Sequence, residues 1–320
     1  MSWIEERTGL RAAIQALKAR LSRPLPTRSA GTVLGSITIF FILVQVMSGA
    51  LLAIYYSPSW NEAHASVVRI AKDVTFGWLV RSVHVWSAHL LVAHVLLHMA
   101  TVFARGAYAK PREATWLTGV ALLGVLMGAA FTGQMLPMDD EAVMGAEVAA
   151  AYAREMGMAD VVRGGPVVGP PMLTRMFAIH VIFVPLGLIA LVAAHAALVA
   201  RHRLKGAESL EGSSPEFPKR LGMAILAAAG LLATLAIGFP AGIGVPPNSP
   251  DAPAAAKPLW MFLPVYQAAK QVSGPATLLL LLGPPAFLVA VPFIPRRIAV
   301  AAGLLLLAAG LVLGVMGAAS

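Results

Sequence analysis

Residues 81–99 read RSVHVWSAHLLVAHVLLHM, an apolar run in which His84 and His98 lie 14 positions apart. On a helix that turns 100° per residue, this spacing separates them by about 40° around the axis and about 21 Å along it. A second apolar run, TRMFAIHVIFVPLGLIALVAAH at 174–195, carries His180 and His195 15 positions apart, or about 60° and about 22 Å. Two such helices predict two flat ligands, one above the other, each clamped between paired imidazoles.

Haem is the flat ligand that this arrangement favours. A haem iron with both axial positions filled by imidazole has no open site for oxygen chemistry, so electron transfer is the expected role. A single membrane histidine is equally well explained by hydrogen bonding inside a helix bundle, but four at matched spacing are not. His89 and His94 lie 140° and about 80° away from His84 around the helix, and we interpret these two as bundle residues.

The composition is that of a polytopic membrane protein, with 58% hydrophobic and 12% charged residues and a mean hydropathy of +0.77. Cysteine is absent, which excludes disulfides, thiolate-bound clusters and thioether-attached haem c. The net charge of +9 is explained by basic residues that flank apolar spans, so no nucleic acid partner is expected.

The charge pattern predicts a topology for an all-α fold. Residues 1–30 have the helical spacing of an amphipathic surface helix, which ends at Pro24 and Pro26. Seven spans of about 20 residues are predicted at 33–56, 77–104, 114–136, 174–200, 220–239, 275–294 and 297–317. A cytoplasmic N-terminus places 16 of the 24 Lys and Arg residues on the cytoplasmic side. His84 and His180 are then level near the outer surface, and His98 and His195 near the inner one.

Glycines and arginines add to this pattern. The 14-residue interval of the histidines recurs in two pairs of glycines, where a missing Cβ leaves room for a planar ring: Gly35 and Gly49 on the first span, Gly119 and Gly133 on the third. Ordinary small-residue helix packing explains any one of them. Arg81 and Arg175 lie about one turn outside His84 and His180, where a cation can meet a haem propionate.

Several segments together resemble a known family. RSVHVWSAHLLVAHVLLHM, GAYAKPREATWLTGV, FTGQMLP and LTRMFAIHVIFVP resemble, in order and spacing, the haem-binding part of cytochrome b from quinol:cytochrome c reductases in its bacterial form. FPAGIGVPP and KPLWMFLPVYQAAK resemble its C-terminal part. The resemblance implies a four-helix dihaem part at 31–206 and a three-helix part at 207–320, joined in one chain.

The resemblance also implies cofactors, partners and location. We expect two non-covalent haems b, held by His84 with His180 and by His98 with His195, and no covalent haem c. The expected partners are a Rieske-type iron–sulfur protein, a c-type cytochrome and the quinone pool, in a homodimer in the bacterial cytoplasmic membrane. Quinol would be oxidised at an outer site and quinone reduced at an inner one.

The outer quinol site departs from the family pattern. Related proteins carry Pro-Glu-Trp-Tyr before the sixth span, but here the residues are Pro258, Leu259, Trp260 and Met261, and leucine cannot accept a proton. The Pro-Trp motif after the third span is likewise altered, to Pro137 and Met138. Two carboxylates follow at once and are candidate substitutes: Asp139 and Asp140. Alternatively, they cap a surface helix at 139–153.

Basic residues at two places are candidates for ligand binding on the inner side. His202 and Arg201 either meet a quinone or bind anionic lipid. Thr101 stands where relatives often have an arginine for the inner haem propionate, so Arg105 is the candidate for that role.

Two mechanisms stay open at this point. One is quinol oxidation at the altered outer site, and the other is a transmembrane conduit between an external multihaem cytochrome and an inner quinone site. A haem-free seven-helix transporter is the remote alternative.

Overall fold

The computed structural model describes residues 30–165, 167–205, 217–247, 249–250, 257–272 and 274–319, and within these ranges every regular element is a helix. The predicted all-α architecture with seven spans is confirmed. Residues 1–29, which include the predicted surface helix, and residues 206–216 lie outside the described part of the chain.

The helices follow one another with short connections. In chain order they are α1 (Ala30–Tyr55), α2 (Ala63–Lys72), α3 (Gly77–Ala104), α4 (Glu113–Met135), α5 (Asp140–Arg154), α6 (Ala159–Arg163), α7 (Pro170–Ala178), a π-helical turn (Ile179–Phe183), α8 (Val184–Lys205), α9 (Phe217–Gly238), α10 (Leu263–Ala269), α11 (Pro275–Ala290), a 3-10 turn (Val291–Phe293) and α12 (Arg296–Ala319).

Seven helical stretches are long and apolar enough to cross a bilayer. They are Val33–Tyr55, Gly77–Ala104, Glu113–Met135, Pro170–Arg201, Pro218–Gly238, Ala276–Phe293 and Arg296–Ala319. Large apolar side chains cover their outer faces, for example Leu279 at 76% and Leu305 at 72% exposed. A bilayer accepts such a surface, and the helix satisfies its own backbone hydrogen bonds there.

Two helix pairs form the first half of the molecule. α1 packs along α3, and α4 packs along α8, so each pair brings a glycine-bearing helix against a histidine-bearing one. Gln45 of α1 donates to the carbonyl of His84 at 2.7 Å and to Ser87 Oγ at 2.6 Å, which ties α1 to the middle of α3. α9 adds to the outside of the α1–α3 pair, whereas α10 and α12 pack on each other.

Short helices cover the end of the bundle that carries His84, here called the His84 end. Met135, Met138 and Met172 form its buried core together with Ala63 of α2 and Ala146 of α5. α5 begins at an N-cap, Asp139, whose carboxylate accepts from the Ala142 backbone N–H at 2.9 Å. The opposite end, here called the His98 end, has a separate core around Tyr108 and Trp116.

Candidate functional site

His84 and His180 face each other across the centre of the bundle. Their ring centroids are 6.2 Å apart, and the ring planes are inclined at 78°. A metal ion bound by one nitrogen of each ring needs bonds of about 2 Å on both sides, so this gap has the right size for one metal ion between them. α3 supplies one ring and the π-helical turn supplies the other.

His98 and His195 form the corresponding pair at the other end. The two imidazoles are close enough to interact electrostatically, and both lie in the interior of the bundle. The structure therefore shows His84 facing His180 directly and places His98 and His195 within electrostatic range of each other. That these two pairs bind ligands remains a prediction.

The π-helical turn explains how His180 and His195, which are 15 positions apart, can lie level with His84 and His98, which are 14 positions apart. His180 lies in the turn Ile179–Phe183, where the N–H of Val184 bonds to the carbonyl of Ile179 five residues earlier. Such a turn takes up one additional residue, so His195 keeps the azimuth it would have after a 14-residue regular helix. Pro185 follows immediately and lacks the N–H that a regular helix would use there. Sequence reasoning counted a continuous helix and missed this turn, although Pro185 was a signal for it.

Hydroxyl groups hold three of the four rings from behind. Ser48 Oγ lies 2.9 Å from His84 Nδ1, Thr132 Oγ1 lies 3.2 Å from His180 Nδ1, and Thr118 Oγ1 lies 3.0 Å from His195 Nδ1. Each hydroxyl donates its single proton to a carbonyl of its own helix: Val44, Gly128 and Thr115. The hydroxyl oxygens are therefore acceptors, and the histidines donate to them.

These hydrogen bonds determine which ring nitrogen of His84, His180 and His195 carries the proton. His180 Nδ1 also lies 3.1 Å from the Ala129 carbonyl, which can only accept, so Nδ1 carries the proton. The Nδ1 atoms of His84 and His195 likewise face hydroxyl oxygens whose own protons are donated elsewhere, so they also carry the proton. The lone pair then resides on Nε2, the state in which a neutral imidazole binds a metal.

Three of the four predicted glycines lie directly against these rings. A Cβ on Gly133 would stand 2.6 Å from His180 Cε1, and one on Gly49 would stand 3.1 Å from His84 Cε1. A Cβ on Gly119 would meet His195 Cε1 at 3.5 Å, whereas one on Gly35 would have nothing within 4 Å. The missing side chains thus allow three of the histidines to approach the neighbouring helix.

The two arginines that were predicted to bind haem propionates donate hydrogen bonds to backbone carbonyls. Arg81 donates to the carbonyls of Ala241 and Gly242 at 2.7 and 2.6 Å, and Arg175 donates to the Asp160 carbonyl at 2.8 Å. Contact with a propionate remains a prediction for both.

The segment after α9 folds back over the start of α3. Besides the two bonds from Arg81, Trp86 Nε1 donates to the Phe239 carbonyl at 2.7 Å, and the Ala241 N–H donates to Ser82 Oγ at 3.0 Å. His64 Nε2 lies 2.8 Å from the Gly244 carbonyl. Residues 239–245 therefore attach the second half of the chain to the His84 end.

The altered loop before α11 makes a contact that the sequence did not reveal. Trp260 Nε1 donates to His89 Nδ1 at 3.0 Å, and Phe262 meets Phe131 edge-on with centroids 6.5 Å apart. The loop thus contacts α3 five residues after His84 and α4 two residues before Gly133. His89 was interpreted as an ordinary bundle residue from its azimuth. Its partner Trp260 is 171 positions away, so no local pattern indicates the contact.

Asp139 has one of the roles predicted for the acidic cluster, that of a helix cap. It is the N-cap of α5, and it is half-buried near Arg81 and His64. Burial raises the pKa of Asp139 above its ordinary value, although the Ala142 N–H, His64 and Arg81 oppose the rise. Burial also raises the pKa of Glu141. Pro137 and the buried Met138 lie just before this cap, and Asp140 is the first residue of α5.

The basic candidates lie at the His98 end. Arg201 is exposed near the end of α8, whereas the His202 side chain lies outside the described part of the structure. Arg105 lines a cavity of about 250 Å³ together with Arg296, Tyr108 and Pro292. A propionate role for Arg105 stays a prediction.

The comparisons with known proteins agree with this geometry. The family described as Cytochrome b/b6/petB matches residues 24–203, so the chain belongs to the cytochrome b/b6 family. The chain is 38% identical over 284 residues to the cytochrome bc complex cytochrome b subunit of Chlorobaculum thiosulfatiphilum, a match that covers 82% of this chain and 66% of that protein.

Two further relatives match over shorter stretches of the chain. The menaquinol:cytochrome c reductase cytochrome b subunit of Bacillus subtilis (strain 168) is 38% identical over 178 residues, covering 54% of this chain and 80% of that protein. Cytochrome b6 of Heliobacterium mobile is 37% identical over 202 residues, covering 61% and 94%. A solved structure, "Hyperthermophilic respiratory Complex III", matches with a TM-score of 0.81 at 23% identity over 99% of this chain and 90% of that one, and it supports the fold.

The residues present fit the b-type haems that the family binds. Facing imidazoles with free Nε2 lone pairs are suitable axial ligands, and glycines leave space beside three of them. Among the described residues, His98 Nδ1 is buried and has no hydrogen-bond partner.

Proposed function

We propose that the chain is the dihaem cytochrome b subunit of a quinol-oxidising complex in the bacterial cytoplasmic membrane, with its N-terminus in the cytoplasm. His84 with His180 holds the outer haem, and His98 with His195 holds the inner one. The bound haems supply one-electron transfer across the bilayer. The facing rings of His84 and His180, 6.2 Å apart with both Nδ1 atoms engaged, are the observation that carries the proposal.

The haem content of the purified protein tests this directly. A pyridine haemochrome assay is expected to give two haems b per chain, and His180→Ala is expected to remove the outer haem signal and leave the inner one. Absence of haem from folded protein would favour the haem-free transporter instead. Loss of both signals from a folded His180→Ala variant would contradict the pairing.

We infer that quinol is oxidised at the outer end and quinone reduced at the inner end, with Asp139 as the proton acceptor of the outer site. Its carboxylate lies beside the altered Pro137–Met138 motif, and burial raises its pKa toward the range useful for proton transfer. Leu259 supplies no acceptor in the other loop, where Pro258 and Trp260 remain as packing residues. The partners are a Rieske-type iron–sulfur protein and a c-type cytochrome, in a homodimer, and His202 and Arg201 are the inner quinone candidates.

A conduit between an external multihaem cytochrome and the inner quinone site is the second candidate. Leu259 favours it, since the usual proton acceptor is missing, and so does the use of Asp139 as a helix cap. Oxidant-induced reduction separates the two: quinol is added with the inner site blocked, an oxidant is pulsed, and haem b absorbance is followed. Transient haem reduction is expected. Its absence, in protein whose haems accept electrons from dithionite, would establish the conduit.

A further inference from the structure

The hydrogen bonds behind the four histidines are unequal, and the inequality follows a repeat in the sequence. Each hydroxyl partner immediately precedes one of the glycines: Ser48 before Gly49, Thr118 before Gly119 and Thr132 before Gly133. The fourth position in this repeat is Leu34, before Gly35, 14 residues ahead of Ser48. We name these four positions the hydroxyl ladder, and Leu34 is its apolar member.

His98 is the histidine left without a partner. Its Nδ1 atom is buried and has no hydrogen-bond partner among the described residues, whereas the Nδ1 atoms of the other three are bonded. The Leu34 side chain offers no acceptor, and the Leu34 carbonyl already accepts from His94 Nε2 at 2.8 Å and from Thr38 at 3.1 Å. Both rings of the outer pair are therefore supported, but only one ring of the inner pair.

We propose that the hydroxyl ladder sets the difference in reduction potential between the two haems, with Leu34 raising the potential of the inner one. An acceptor on Nδ1–H makes the imidazole a stronger electron donor, which favours the oxidised iron. The outer haem has two such ligands and the inner haem has one. Electrons are then drawn from the outer haem toward the inner haem, and Ser48, Thr118, Thr132 and Leu34 act as positioning residues.

This inference rests on the proposed function, in which the four histidines bind two haems. The experiment therefore measures haem binding and reduction potential separately. Two haems b per chain must first be found by pyridine haemochrome in each purified variant. Potentials are then measured by redox titration of the two haem absorbances. Haem content checks the proposed function, and the potentials check the ladder.

The sharpest variant adds the missing hydroxyl. Leu34→Thr places a hydroxyl at the position of α1 that the 14-residue repeat aligns with His98, where the Leu34 carbonyl already binds His94 one turn before His98. We propose that this hydroxyl supplies the missing acceptor for His98 Nδ1–H. Its matched control is Leu34→Val, which has the same shape without the oxygen. Leu34→Thr is expected to lower the inner potential relative to Leu34→Val and to leave the outer potential unchanged. Equal inner potentials in the two variants would overturn the proposal.

The opposite change keeps the test decisive if Leu34→Thr fails to bind the inner haem. Thr118→Val removes the hydroxyl behind His195 and is expected to raise the inner potential. Ser48→Ala is expected to raise the outer potential, and Ser48→Thr to restore it. A merely structural role would lower haem occupancy without raising the potential of one haem selectively in each variant. Unchanged potentials in Thr118→Val and Ser48→Ala, with both haems bound, would also overturn the proposal.

Discussion

Gly133 is the residue with the least room for a side chain beside a histidine. Gly133→Ala places a Cβ 2.6 Å from His180 Cε1, so the ring must move away. Overpacking of this kind costs about 1–3 kcal/mol and displaces the imidazole from His84. We expect Gly133→Ala to lose the outer haem signal, measured by difference spectroscopy, while the inner signal remains.

Gly128 on the same helix is the control, because a Cβ there meets nothing within 4 Å. Gly128→Ala is expected to retain both haems and to be at least as stable, since alanine favours a helix by about 1 kcal/mol over glycine. Equal haem loss in the two variants would show that contact with His180 is not the cause.

Asp139 is a helix cap in the structure and the proton acceptor of the proposed function, two roles that the sequence leaves as alternatives. Asn is as good an N-cap as Asp, whereas Ala removes the acceptor of the Ala142 N–H at a cost of about 1 kcal/mol. We therefore expect Asp139→Asn to keep the thermal stability of the protein and lose quinol oxidation, and Asp139→Ala to lose both. Wild-type rates in Asp139→Asn, measured with quinol and an external oxidant, would exclude Asp139 as the acceptor.

The raised pKa of Asp139 sets the direction of its pH dependence. Only the ionised carboxylate accepts a proton, so the rate of quinol oxidation is expected to rise with pH through the raised pKa. The folded state binds this proton more tightly than the unfolded state, so stability falls as pH rises from about 4, the ordinary Asp value, to the raised pKa. His64, Arg81 and Glu141 face the carboxylate and modulate it. A stability profile of wild type identical to that of Asp139→Asn would contradict the assignment.

Helix length and apolar composition could be predicted from the sequence, because a bilayer demands about 20 consecutive apolar residues in each span. The histidine pairs followed from helical periodicity alone. The π-helical turn could not be derived in this way, since it changes the register by one residue without changing the composition. The hydroxyls behind the rings needed the relative rotation of two helices, which periodicity within one helix does not give.

The π-helical turn can be tested by removing its additional residue. Deletion of Ile182, which is 50% exposed, leaves a regular helix with the two histidines 14 positions apart. We expect this variant to bind both haems, because the azimuths of His180 and His195 are nearly conserved.

Deletion of both Ile182 and Ile189 is the matched control, since Ile189 is the same residue type at 58% exposure and no π-turn is left to absorb the second deletion. It turns everything beyond it by about 100° and 1.5 Å relative to His180. Loss of the inner haem is expected, measured by the two haem absorbances. Retention of both haems after this deletion would show that register does not control the pairing.

The two halves of the molecule meet where α9 packs on α1 and α3, and through hydrogen bonds between residues far apart in the chain, such as Trp116 Nε1 to the Leu288 carbonyl at 2.7 Å. Arg81 and Trp86 bind the backbone of 239–245, and Trp260 binds His89. Such contacts have no local signal, which is why the sequence predicted the loop motifs but not where they attach. All four histidines, by contrast, lie before Lys205.

This division predicts that the chain tolerates a break between the halves. Co-expression of residues 1–206 and 207–320 is expected to give a complex with two haems, and the haems are expected to remain with 1–206 when it is expressed alone. The relatives from Bacillus subtilis and Heliobacterium mobile match over 178 and 202 residues, only 54% and 61% of this chain but 80% and 94% of their own lengths. Haem content after affinity purification on each fragment is the measurement.

The attachment of the second fragment then depends on the contacts at the His84 end. Trp86→Phe removes the donor to the Phe239 carbonyl, a hydrogen bond that contributes about 1 kcal/mol. The affinity between the fragments should fall about five-fold, since 1.4 kcal/mol corresponds to a factor of ten. Trp78→Phe changes a 38% exposed tryptophan of the same helix and serves as the control. If both variants release the second fragment equally, or neither does, then attachment does not depend on the Trp86 contact. A selective loss in Trp86→Phe would establish that residues 239–245 hold the two halves together.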